Sequence, residues 1–77
     1  MPEATRNRIS VLIFDALFAV DGQGLDPRFV SVEMHKDPVD ALTEVQSILL
    51  AEYAGGRKDV EPWLINVSDE LTQLKLI

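Results

Sequence analysis

The run Ile9–Val20, ISVLIFDALFAV, constrains this chain more than any other segment. Its only polar residues are Ser10 and Asp15, so no one-sided pattern describes it. A segment this apolar needs cover on more than one side, and a chain of 77 residues has little material to supply it. A domain of that size buries roughly 60–65% of the surface its unfolded chain exposes. The run therefore points outward, to a partner surface.

Two secondary structures compete for it. As a helix, Ile9, Leu12, Ile13, Ala16, Leu17 and Val20 fall on one stripe. As a strand, its β-branched and aromatic residues are favourable. The residues beyond Val20 favour the strand. Asp21-Gly22-Gln23-Gly24 is a turn cluster that Asp26-Pro27 extends, and Arg28–His35 alternates in character. Strand, glycine-rich loop and strand make a β-hairpin.

The sharpest boundary is Asp37-Pro38, an N-cap acid before a proline at the first helical position. Beyond it, Ala41, Leu42, Val45, Ile48, Leu49 and Tyr53 share an apolar face. Gly55-Gly56 ends the helix, predicted over residues 38–54. Pro62 closes a charged connector. Trp63–Val67 and Leu71–Ile77 then read as two strands around Ser68-Asp69-Glu70, although a C-terminal helix over 69–77 fits the same residues. The expected fold is a single α+β domain over 1–77, ordered ββαββ, with a mainly antiparallel sheet and one long helix on one face. Residues 1–7 read as a polar, loosely held start.

Thirteen acids against seven bases give a net charge of −6, which argues against direct nucleic-acid binding. There is no cysteine, hence no disulfide or thiolate metal site. No signal peptide is recognisable, and the apolar run is too short to span a bilayer as a helix. A cytoplasmic protein that does not insert in membranes is expected.

Few residues propose chemistry. Glu33, His35 and Asp37 would share one face of a strand and could in principle hold a divalent cation. The simpler reading puts Glu33 and His35 on a solvent face and spends Asp37 as a helix cap. His35 is the only histidine and has no sequence-adjacent nucleophile. The Asp21–Asp26 loop lacks the ligand spacing of an EF-hand and the Gly-Lys-Ser/Thr ending of a P-loop. No catalytic, metal or cofactor site is assigned.

The expected role is that of a small non-enzymatic interaction or accessory protein. It would form a homodimer, or dock on a larger protein, through the apolar sheet surface of Ile9–Val20. Leu12, Phe14 and Phe18 are the candidate contacts on that run. Phe29 is the better surface candidate among the remaining aromatics, with Trp63 assigned to the core. The acidic residues Asp40 and Glu44, with Glu52 a little round the helix, suggest a second role, as an inhibitor of nucleic-acid-mimic type docking on a basic protein. A small enzyme or metal protein using His35 is the third.

Overall fold

A computed structural model describes residues 2–76 and contains, among them, only helices: α1 (Glu3–Val20), α2 (Arg28–Glu33), α3 (Pro38–Ala54) and α4 (Glu61–Leu76), with a 3-10 turn at Lys58–Val60 before α4. The expected ββαββ sheet is overturned. Met1, and Ile77 at the end of the last expected strand, lie outside the described residues.

Each correction has a local cause. In α1 the buried residues Ile9, Ala16, Leu17 and Val20, with half-buried Leu12 and Ile13, are the helical stripe. Burial on a 3.6-residue period decides the run, and its β-branched content carries little weight against that context. The polar residues from Glu3 onward, expected to be loose, form the first turns of this helix. In α2, Phe29 and Val32 are buried one turn apart, a spacing that a short alternating pattern conceals. In α4, Pro62 opens the helix, where its missing N–H is harmless. Leu64, Val67, Leu71 and Leu74, spaced three, four and three, then face the core. Ser68-Asp69-Glu70 interrupts nothing: the Ser68 hydroxyl accepts from Gln46 Nε2 of α3 at 3.0 Å, and Glu70 is buried.

The predicted helix 38–54 stands as α3. Asp37 accepts a hydrogen bond from the Val39 N–H at 2.8 Å, and Pro38 occupies the first turn. At the far end Arg57 N–H reaches the Glu52 carbonyl (3.0 Å) and Gly56 N–H the Tyr53 carbonyl (3.1 Å), a Schellman ending with Gly56 at φ +108°. α3 is the central post, in contact with α1, α2, α4 and the 3-10 turn. Leu42, Val45 and Leu49 are wholly inaccessible. Around them pack Ile9, Ala16 and Leu17 of α1, Phe29 and Val32 of α2, Val60, and Val67 and Leu71 of α4.

The loop between α1 and α2 is no hairpin. The Asp21 carboxylate accepts from the Gln23 and Leu25 N–H groups, both at 3.0 Å, and curls the chain around Gly24 at φ +69°. A Cβ on Gly24 would stand 2.9 Å from Phe18 Cε1. Gly24→Ala is expected to lose about 1–2 kcal/mol, mostly left-handed backbone strain, since the exposed ring can shift. Gly22→Ala, with negative φ and open space around its Cβ, is expected to be neutral or slightly stabilising. Paired urea titrations of the two variants check this, and equal effects would contradict it.

Charged groups hold the helix ends in place. Arg57 donates from Nη2 to the Ala19 carbonyl (2.8 Å) and from Nη1 to that of Val20, closing the C-terminus of α1. The same guanidinium hydrogen-bonds Asp59 and thereby holds that carboxyl below the usual range. Arg28, at the start of α2, bonds Asp26 and Glu52. Its hydrogen bonds to Asp26 depress that carboxyl and raise its own pKa. No described helix is long and apolar enough to cross a membrane.

Candidate interaction surface

Becoming a helix does not remove the two-sided character of Ile9–Val20. The inner face of α1 carries the core stripe. On the outer face Val11, Phe14 and Phe18, spaced three and four apart, are 58%, 56% and 53% exposed. They form an apolar ridge along two turns, interrupted only by Asp15. Single exposed apolar residues are ordinary on protein surfaces; three in register, two of them aromatic, are less so.

Between ridge and core the surface opens into a groove of about 310 Å³. Ile9, Ile13, Phe14 and Leu17 of α1 form one wall, and Phe29 and Val32 of α2 the other. Ala41 contributes from α3. α2 packs on α3 more closely than on α1. Polar groups occur at the border: Arg6 and Ser10 from α1, Glu33 from α2, and His35 and Lys36 from the α2–α3 loop.

The residues singled out in the sequence divide accordingly. Phe14 and Phe18 are on the ridge, and Phe14 also borders the groove. Leu12 is half-buried against the core. Phe29, expected at the surface, is 3% exposed and belongs to the core, because the helical register of α2 points it at α3 together with Val32. Trp63 is half-buried and packs on the core, as expected.

The acidic face of α3 is partly engaged by neighbours from other elements. Glu44 accepts from the Ser31 hydroxyl at 2.9 Å and meets His35 Nε2 at 3.2 Å. Glu52 is paired with Arg28 and lies 3.9 Å from Arg57 Nη1. Asp40 is exposed and makes no ion pair among the described residues. Arg28 and Arg57, bases that the helix itself lacks, offset Glu52, while Glu44 and Asp40 have no arginine or lysine partner among the described residues.

Glu33, His35 and Asp37 do not converge either. Glu33 lines the groove, His35 turns to Glu44, and Asp37 caps α3. No cluster of three metal-ligating side chains occurs among the described residues. The groove residues Arg6, Ser10 and Lys36 and the ridge residue Val11 were missed by sequence reasoning. Sorting residues 6–18 on a helical wheel would have separated ridge from groove; Lys36 reaches the groove through tertiary placement alone and carries no local signal.

Comparisons with protein-family models, curated proteins and solved structures return no match for this chain.

Proposed function

We propose that the chain is a small non-enzymatic interaction protein that self-associates through the outer ridge of α1. The observation that carries this reading is the register of Val11, Phe14 and Phe18, each more than half exposed on one face of an 18-residue helix. Aromatic residues on an exposed apolar strip are the usual anchors of protein interfaces. A ridge on one long helix suits a two-fold contact, in which the same residues of two copies meet. The charged pairs support a structural reading of the polar groups. Arg57, Arg28, Glu44 and Asp21 fasten loops and helix ends, and His35 is bound into the same scheme. A cytoplasmic setting belongs to the proposal, since a fold held without cysteine has no disulfide to maintain.

Sedimentation velocity over a concentration series tests it. The parent chain is expected to dimerise, and Val11→Asp to weaken the dimer by about tenfold or more with an unchanged helical circular dichroism spectrum. A strict monomer at high micromolar concentration overturns self-association. So does an unaltered dimer in the Val11→Asp variant.

A further inference from the structure

The inner side of α1 supports a separate inference, independent of the ridge. We propose that the α1–α2 groove is a binding site for a single-chain anionic amphiphile, a medium-length alkyl carboxylate. Its hydrocarbon tail would run along α1 and its head would sit between Arg6 and Lys36.

The α1 wall of the groove runs from Arg6 to Leu17, about 16 Å of helix. Its volume of about 310 Å³ lies at the low end of the range for small-molecule sites. The walls suit a tail, since Ile9, Ile13, Leu17, Phe29, Val32 and Ala41 present only carbon from their side chains.

The ends of the groove differ, and the fold shows which is which. Arg57 ties the C-terminus of α1 to the C-terminal end of α3. Arg28, at the start of α2, pairs with Glu52 near that same end. Ser31 and His35 meet Glu44 further back, so α2 runs antiparallel to α3. The α2–α3 loop, with Lys36, consequently lies at the end where α1 begins, beside Arg6. Leu17 and Phe29 are at the opposite end. The groove is apolar along its length, and the mouth at that end carries Arg6 and Lys36, with Glu33 at the end of α2 on the same side.

These two bases stand out in a chain of net charge −6. Arg8, Arg28 and Arg57 are paired with carboxylates, and Lys58 lies over the Tyr53 ring at 4.0 Å. Of the remaining bases, Arg6, Lys36 and Lys75, two border this one groove. The lining contains a single acid, Glu33; the ring of His35 is turned to Glu44. An amphiphile with a carboxylate head satisfies both the apolar walls and the two cations at the mouth.

Decanoate, kept below its micellar concentration, is the probe, read by calorimetry and by amide chemical shifts of labelled protein. Saturable binding is expected, with shifts concentrated at Ile9, Ile13, Leu17, Phe29 and Ala41. The double variant Arg6→Gln/Lys36→Gln is expected to weaken it by about tenfold. Ser10→Trp, which adds bulk at an exposed position on the groove, is expected to abolish it with an unchanged thermal melt. Decyltrimethylammonium is expected to bind at least tenfold more weakly than decanoate. The proposal is overturned by non-saturable binding, by shifts elsewhere, by equal affinity for the cationic probe, or by indifference to Arg6→Gln/Lys36→Gln. A dimer in which the groove amides are already protected, and which decanoate does not displace, assigns the groove to a second copy and overturns it as well. Val11→Asp is expected to leave decanoate binding intact, which keeps this result separate from that of the ridge.

Discussion

Leu49→Ala is expected to cost about 3–5 kcal/mol, enough to remove roughly half of the stability of a domain this size. Leu49 is wholly buried on the helix that contacts every other element. Truncating it leaves a cavity lined by several helices at once, and such a site cannot collapse by moving one of them. The transfer term and the unfilled volume therefore add. For a chain of 60–100 residues each kcal/mol lowers the melting temperature by about 4–8 °C. Leu50, the next residue, is 49% exposed on the same helix. Leu50→Ala changes helix propensity little and is expected to cost less than about 1 kcal/mol. Urea titrations of the two variants side by side separate packing from propensity. A Leu49→Ala cost below about 1 kcal/mol would contradict the placement of α3 at the centre.

The local logic that locates α3 in the sequence applies twice more. Asp37-Pro38 marks a helix start because the acid caps free N–H groups and the proline has none to lose. Asp26-Pro27 has the same chemistry: Asp26 Oδ1 accepts from Arg28 N–H at 2.9 Å and opens α2. Glu61-Pro62 opens α4. Taken as turn and connector, these two pairs conceal two of the four helices. The segments after them are also short or polar enough to imitate strands. Phe29 and Val32, three apart, fit a pattern of alternation when Val30 and Met34, which the structure leaves exposed, are counted as core.

Ile9–Val20 illustrates a different limit. Its apolar excess is legible in the sequence, but a strand and a helix distribute that excess differently. On a strand, Leu12, Phe14, Ala16 and Phe18 would share a face. On the helix, Ala16 goes to the core, Leu12 to its edge, and Phe14 and Phe18 outward. The two phenylalanines keep their candidate role under either geometry, whereas Phe29 does not survive the change. The engagement of Glu44 and Glu52 could not be read locally at all. Their partners Ser31 and His35, and Arg28 and Arg57, come from other elements and are fixed only once α2 and the Schellman turn are in place.

Arg8→Ala is expected to destabilise the fold by about 1.5–3 kcal/mol, and the cost should depend on Glu70. Glu70 is the one charged residue buried among those described, at 8% exposure in α4. Its Oε1 accepts from Arg8 Nε at 2.8 Å and lies 2.7 Å from Nη2, across 62 residues of sequence. Removing the arginine strands a carboxylate between α1 and α4. The Arg8 side chain is 55% exposed, so water softens the loss below that of a fully buried pair. Glu70→Leu takes the charge away instead and puts a good helix former against Leu71 and Val67. It is expected to be neutral or mildly stabilising, as apolar replacements of buried ion pairs often are. The decisive comparison is Arg8→Ala in the Glu70→Leu background, measured by urea titration. If the arginine acts by pairing with the buried carboxylate, its removal costs almost nothing there, and the cycle yields a coupling of about 1.5–3 kcal/mol. If Arg8→Ala costs the same in both backgrounds, its contribution is the packing of its aliphatic stem, and the ion pair is not what joins α1 to α4.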